Sequence, residues 1–556
     1  MSTPVLTAPW TSAQGLQLTD LVPAALRRAW SAQGHYPDQD IYRLFAERVR
    51  AHPDRPAVRC PGAALSYREL GHRVRRIALE LDRAGVSADE VVGIQLPGGW
   101  QAVAAELAVA AIGAVALTFP AGRGTGDTYA LLDRSRAAAL LTAGGGPPID
   151  RSRLRLLRTV LDLSVVDYGE VASSAVAHGG VAEWSGTARR PDPDSPARIL
   201  VSSGSESEPK MVAYSHNAMA GGRGNYLRAV YAGTEVPCAL VLVPLSSSYG
   251  SLGAVTLYRH GGTLVLLDGF DAASALRAVT EHRPTHLFGV ATMLRRMTAL
   301  APEPGEDLSS LRSVIASCDG LPAPLLAACL ERFGAPVSNL YGSTDGMNCR
   351  AEHARPGQDT TLLGRPDPAV CDLRICDEQG VELPPGEPGE VWALGPMTPL
   401  CYVGSARHDE RYRRPGGWVR SGDHGLLTAD GRLQLLRRNS QLVKRGGYSI
   451  SPAEVERHAA AHPGVAEAAC VAVPDPDLGE RLCVCVVPAP ATAAGTGKVA
   501  DGAPTLGELN AFLEAVRGLE RRKLPEQLLL LTALPLGPTG KLARAELSAL
   551  ATAALS

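Results

Sequence analysis

A chain of 556 residues exceeds what one hydrophobic core usually supports, so at least two domains are expected. Hydrophobic residues make up 45% and charged residues 20%, ordinary proportions for a globular protein, and a formal charge of -2 gives no footing for a nucleic-acid partner. The opening MSTPVLTAPWTSAQG has no basic start followed by an apolar core, so no secretory signal is expected and a cytoplasmic location is.

From about Asp40 to Pro120 helical and strand signals alternate. YRELGHRVRRIALELDRAG carries apolar residues at helical spacing, with Gly85 where the helix should stop, and EVVGIQLPGG reads as a buried strand and turn. The most membrane-like stretch is Ala102 to Phe119, but Glu106 interrupts it and it is short for a span. A buried helix running into a strand is predicted there, and no membrane partner. Further on, ALVLVPL, TLVLLDG, THLFGV and LRSVIASCDG are short apolar runs separated by helical stretches, the pattern of parallel sheets in an α/β body. After Leu363 the chain turns to short alternating strands and turns, which predicts a small β-barrel or sheet. Beyond Arg437 it changes again: SPAEVERHAAAHPGV is a helix with Ser451 at its cap, AEAACVAVPD and RLCVCVVP are strands, and Cys483 and Cys485 share a face. The division expected is residues 1–440 and residues 441–556.

Eleven cysteines lie scattered with no CxxC pair, so buried reduced thiols are expected rather than a disulfide framework or a zinc site. Lysine is scarce: Lys210, Lys444, Lys498, Lys523 and Lys541 are the five among 55 basic residues. A chain that otherwise writes arginine keeps lysine where a compact, flexible ammonium matters.

The stretch ILVSSGSESEPKMVAYSHNAM, Ile199 to Met219, is an apolar strand followed by a small polar turn and Lys210. Backbone N–H groups, hydroxyls and an ammonium in such a turn suit a phosphate cradle. It is not the standard P-loop, because a second glycine and the Ser/Thr after the lysine are missing. Taken alone, it fits a polar surface loop equally well. Four more stretches stand in order behind it: NLYGSTDG (Asn339 to Gly346), GWVRSGD (Gly417 to Asp423), RRNSQLVKRGGYSISPAEVE (Arg437 to Glu456) and LPLGPTGKLAR (Leu534 to Arg544).

Together these five motifs resemble the adenylate-forming superfamily of acyl-CoA synthetases, aryl-acid AMP ligases, adenylation domains and luciferases, over about residues 40 to 545. The segment LRRAWSAQGHYPDQDIYRLFAERVRAHPDRPAV is most similar to the stand-alone branch that activates aryl and cyclic acids. The resemblance implies a large N-terminal domain of two α/β subdomains plus a small β-barrel, and a small mobile α+β C-terminal domain that rotates. It implies ATP and Mg²⁺ as cofactors. Ser202, Ser203, Gly204, Ser205 and Lys210 would wrap the β- and γ-phosphates; Tyr341, with Gly342, would lie against adenine; Thr344 would touch the α-phosphate. Asp345, where the family usually has glutamate, would be the metal contact. Asp423 would accept the ribose hydroxyls with Arg438 nearby, and Lys541 would bridge the attacking carboxylate and the α-phosphate. Four of the five lysines fall in resembling segments.

Departures are as informative. Glu206, Ser207 and Met211 alter the phosphate loop, and Glu206 near triphosphate must point away or reach the metal. Gln441 stands at the hinge where aspartate is usual. VPLSSSYGSLG puts Ser247, Ser248 and Tyr249 where aryl-acid activators carry His-Asn-Tyr, and no aspartate is there for an α-amino group, which argues against an ordinary amino-acid substrate. Cys318 and Asp319 of SCDGLP, and His216 and His286, are further candidates for the acyl pocket, each with a structural role as the plain alternative.

The expected reaction joins an acid and ATP into acyl-AMP and pyrophosphate, then passes the acyl group to a thiol. KRGGYSI, with Lys444, Gly446 and Gly447, resembles the loop lining the thiol tunnel, so coenzyme A or a carrier-protein phosphopantetheine acting in trans is the partner implied. The setting expected is bacterial secondary metabolism. Two alternatives stand beside it: a nitrite-adenylating diazotase acting on an aryl amine, and an adenylate-binding protein with weakened catalysis.

Overall fold

The computed structural model describes residues 9–144, 149–169, 190–202, 209–317, 321–349, 353–354, 361–438, 443–445, 448–475, 478–489, 503–537 and 540–555. They divide into two compact units, Met1–Arg374 with Trp392–Ser421 and Ala429–Leu433, and Ile375–Val391 with Gly422–Thr428 and Gln434–Ser556. Among the described residues no helix is long and apolar enough to cross a membrane.

In the first unit the alternating apolar runs become two seven-stranded sheets. One runs Cys401–Tyr402, Met211–Ser215, Pro196–Val201, Val115–Thr118, Val91–Gln95, Ala139–Thr142, Thr159–Asp162. Its last five strands are parallel, whereas Met211–Ser215 is antiparallel to both neighbours. The other runs Val337–Asn339, Ser313–Ala316, His286–Gly289, Cys238–Val241, Thr263–Val265, Pro56–Cys60, Ala63–Ser66, parallel up to the closing antiparallel hairpin.

Local chemistry sets the helix ends. Ser66 and Glu69 cap the helix Tyr67–Arg83 reciprocally, and Gly85 at φ 73° follows its end in the left-handed region. The predicted buried helix is Trp100–Ala111, and it does run into a strand, Val115–Thr118. Glu106, 5% exposed, is matched from the neighbouring sheet: Arg198, on the strand Pro196–Val201, donates to its Oε1 at 2.5 Å. The same guanidinium donates to Thr118 Oγ1 at 3.1 Å and to the Leu245 carbonyl at 2.7 Å. Burial pushes the Glu106 carboxyl above its usual range against the pull of Arg198.

Strands Asp372–Cys376, Gly389–Leu394, Val419–Leu427 and Leu433–Arg438 form a four-stranded sheet in that order. The second unit is built on the antiparallel pair Val465–Asp475 and Gly479–Pro488, with Gln527–Leu530 parallel to the latter. Alternation sorts its two faces. Cys483 and Cys485 are buried together with Leu534, Leu547 and Ala551, while Cys470 lies on the opposite face with Val455, Leu509 and Leu513. All the described cysteines are free thiols. Ser451 stands at the cap of the helix Pro452–Ala459 as predicted, but its hydroxyl makes no capping bond.

Candidate active site

Parallel strands deliver the loops at their carboxyl ends to one edge of a sheet, where open α/β folds bind ligands. Here Val337–Asn339 leads into Leu340–Gly346, Cys238–Val241 into residues 242–251, and Ser313–Ala316 into Ser317. The loops are tied together. Tyr249 Oη donates to the Ile315 carbonyl at 2.7 Å, and Ser248 Oγ to that of Ser343 at 3.4 Å. Arg223, buried at the end of the π-helical turn Ala218–Arg223, donates to the Ser248 carbonyl at 2.9 Å and to the hydroxyls of Ser248 and Ser251 at 3.2 Å. Its guanidinium lies 4.8 Å from the Tyr214 ring centroid, and Tyr214 Oη donates to the Thr344 carbonyl at 2.6 Å.

Residues 341–349 fold back as a tight hairpin. Ser343 N–H meets the Met347 carbonyl and Cys349 N–H that of Tyr341, each at 3.1 Å, and Asp345 N–H donates to Ser343 Oγ at 3.1 Å. Gly346 makes the reversal possible at φ 88°, and a Cβ there would sit 2.7 Å from Pro399 Cδ and 2.9 Å from the Met397 carbonyl oxygen. Gly346→Ala is therefore expected to destabilise the protein by about 1–3 kcal/mol, combining the left-handed cost with a backbone clash. Denaturant unfolding checks this, and an unchanged midpoint would contradict it.

The hairpin turns Asp345 toward Lys210. The short strand Cys401–Tyr402 pairs antiparallel with Met211–Ser215, Tyr402 opposite Val212, so Tyr402 arrives beside the lysine. Tyr402 Oη donates to Asp345 Oδ1 at 2.7 Å, and Lys210 Nζ lies 3.8 Å from Oδ2. Below the ammonium is Tyr412, from the helix Ala406–Tyr412, its ring centroid 3.9 Å from Nζ. Tyr402 and Asp345 are 3% and 7% exposed. Burial, then the Asp345 charge, pushes the Tyr402 phenol well above its usual value, so it stays a proton donor. Asp409 accepts from the Tyr402 N–H at 2.9 Å, and burial pushes its carboxyl up to about 6.

Lys210 and Asp345, the chain neighbour of Thr344, are thus brought together, with Ser202 opposite Lys210 just beyond the paired strands Pro196–Val201 and Met211–Ser215: Ser202 N–H donates to the Lys210 carbonyl at 2.9 Å and Lys210 N–H to Ser202 Oγ at 3.1 Å. Tyr341 is buried, its hydroxyl 3.9 Å from Met347 Sδ, and Gly342 is exposed. Ser247 closes its own turn, donating to the Pro244 carbonyl at 2.8 Å and accepting from Gly250 N–H at 2.9 Å. The two histidines sit elsewhere. His216, 1% exposed, accepts from Ile41 N–H at 3.2 Å, and His286 contacts Thr285 Oγ1 at 2.8 Å and the Val230 carbonyl at 3.2 Å. Burial lowers both to about 4, so both are neutral at neutral pH.

In the second unit, Asp423 is fully buried on Val419–Leu427. Lys541 is exposed at the foot of a turn in which its carbonyl accepts from Gly537 N–H at 2.7 Å. Arg438 ends the strand Leu433–Arg438 and Lys444 lies on Val443–Arg445, while their side chains fall outside the described residues. Ser203, Gly204, Ser205, Glu206, Ser207, Cys318, Asp319, Gln441, Gly446 and Gly447 also lie outside them. Sequence reasoning missed Tyr402, Tyr412 and Arg223, which no quoted motif contains, and Tyr214, which lies within Ile199 to Met219 but is brought to the site by packing.

Two family models match the chain, the AMP-binding enzyme over residues 45–403 and the AMP-binding enzyme C-terminal domain over residues 454–541. The chain is 28% identical over 553 residues to the 2-hydroxy-7-methoxy-5-methyl-1-naphthoate–CoA ligase of Streptomyces carzinostaticus, covering 95% of this chain and 96% of that one. It is 28% identical over 547 residues to the salicyl-AMP ligase / salicyl-S-ArCP synthetase of Mycobacterium tuberculosis, covering 94% and 92%. Its fold matches the anthranilate CoA ligase AuaEII in complex with anthranoyl-AMP, with a TM-score of 0.77, 21% identity, and 94% and 98% of the chains covered.

Proposed function

The chain belongs to the AMP-binding enzyme family, and from that premise we propose that it activates an aryl or cyclic carboxylic acid with ATP and passes the acyl group to a thiol. The observation that carries the reading is the Lys210 ammonium set beside the Asp345 carboxylate, the chain neighbour of Thr344. A carboxylate attacking a polyanion needs charge neutralised and reactants held in line. The Lys210–Asp345 separation of 3.8 Å exceeds the roughly 2.7–2.9 Å of a tight charge-assisted bond, so the ammonium is not locked to the carboxylate and is available to triphosphate oxygens.

Among the described residues no group of three or more His, Cys, Asp or Glu side chains can hold a metal. That fits Mg²⁺, which is commonly held by one or two carboxylates together with nucleotide phosphates. Asp345 would hold it, and the ion would neutralise charge on the triphosphate. Asp423 and Arg438 would hold the ribose, Tyr341 with Gly342 the adenine, and Lys541 would meet the α-phosphate and the acid. Ser248 and Tyr249 front the acyl side, Ser248 already polarised by Arg223. The relatives named above act on a naphthoate and a salicyl group, one forming a CoA thioester and the other loading a carrier. Coenzyme A or a carrier protein in trans is accordingly the proposed acceptor.

Incubating the protein with ATP and a panel of aryl, cyclic and alkyl acids plus nitrite, and following AMP and pyrophosphate, tests this. Turnover with an aryl or cyclic acid, completed by coenzyme A or a phosphopantetheinyl carrier, is the expected result. Turnover with nitrite alone would replace it with diazotisation. ATP binding with no turnover would replace it with an adenylate-binding role.

A further inference from the structure

Asp345 is a short carboxylate, nearly buried, with two neighbours that treat its oxygens differently. Oδ1 takes a hydrogen bond of 2.7 Å from a phenol that remains protonated, while Oδ2 faces an ammonium 3.8 Å away. Two charges this close in a partly desolvated place attract strongly, and Lys210 is itself only 13% exposed. That they have not closed into a tight pair has a visible cause. Each has an aromatic partner: the Tyr402 hydroxyl holds one oxygen of the carboxylate, and the Tyr412 face carries the ammonium at 3.9 Å.

Tyr402 is itself firmly placed. Its backbone pairs with Val212, its N–H donates to Asp409, and its ring packs 5.6 Å from Tyr412 and 5.7 Å from His408. The phenol is therefore a fixed post rather than a mobile donor. Rotation of the aspartate about its last torsion, otherwise broad, is stopped with Oδ2 directed to the side where Lys210 waits.

We propose that Tyr402 is a positioning residue that orients Asp345 toward a metal–triphosphate entering between Asp345 and Lys210. The inference rests on the ATP-using reading above and adds to it the residue that makes a short carboxylate serviceable. A longer carboxylate would reach about 1.5 Å further and would have less need of the post.

The test is calorimetric binding of a non-hydrolysable ATP analogue, with and without Mg²⁺, to the full-length protein and to Tyr402→Phe, Asp345→Glu and the double variant. Thermal melts establish that each is folded. Tyr402→Phe keeps the ring and is expected to weaken Mg²⁺-dependent binding about 10- to 100-fold, the range of a hydrogen bond to a charged group, with metal-free binding changed less than about threefold. Adding Asp345→Glu to Tyr402→Phe should recover most of the loss. Unchanged Mg²⁺-dependent binding in folded Tyr402→Phe overturns the proposal, as does an equal loss without metal, or no recovery in the double variant. Mg²⁺-dependent binding by the parent that Tyr402→Phe leaves intact sinks the role of Tyr402 alone. A parent protein that binds no nucleotide sinks the ATP-using reading and this proposal with it.

Discussion

Lys541→Ala is expected to slow acyl-adenylate formation by about 10²- to 10³-fold, the cost of removing one preorganised donor from the charge that develops in a transition state. The lysine is exposed at the foot of its turn. Thermal melts establish that the variant is folded before its rate is read. The second half-reaction separates chemistry from folding. Given synthetic acyl-adenylate and the thiol, Lys541→Ala should still transfer the acyl group at near-parental rate. A loss of less than about tenfold in pyrophosphate release would remove Lys541 from the role proposed for it.

Glu106→Gln is expected to cost the first unit about 3–5 kcal/mol, because removing one partner of a buried ion pair leaves the other uncompensated. Arg198 is 1% exposed and Arg223 2% exposed, and both act on the Glu106 carboxyl. With the charge gone, two buried guanidinium groups face each other's field without the Glu106 carboxylate between them. Arg198 also holds the Leu245 carbonyl, and Leu245 lies in the loop that carries Ser248 and Tyr249. Partial unfolding should thus be accompanied by a looser acyl side, seen as a raised KM for the acid in whatever fraction remains folded. Urea unfolding followed by near-ultraviolet signals reads the stability change. A shift below about 1 kcal/mol would show that the pair is replaceable.

Much of the architecture is legible in the residues. The apolar run broken by Glu106 is a buried helix because a partner arginine lies on a strand some ninety residues on, and composition alone marks the break without naming that partner. Cys483 and Cys485 share a face because strand side chains alternate, and Gly85 follows the end of the helix Tyr67–Arg83 where a left-handed residue is wanted. Periodicity and capping are local, so they read directly.

The site is only half legible for the opposite reason. Lys210 and Asp345 lie in quotable motifs, yet Tyr402 reaches them through antiparallel register and Tyr412 through a short helix that follows. Nothing in LCYVGSARHDERY announces a contact so distant in sequence. The serines of VPLSSSYG show a different difficulty. Ser247 staples its own turn while Ser248 bridges Arg223 and the hairpin, a division set by backbone geometry and not by residue type. His216 likewise accepts from the backbone of Ile41, far from it in the chain, and its burial keeps it neutral.

The central claim is that the acid's own oxygen attacks the α-phosphate. Supplying the accepted acid with both carboxylate oxygens as ¹⁸O, together with ATP and the thiol, and weighing the products by mass spectrometry addresses it directly. One ¹⁸O carried into AMP, with none in pyrophosphate, is the predicted result. Label found in inorganic phosphate alongside ADP, or AMP formed without label, would contradict it.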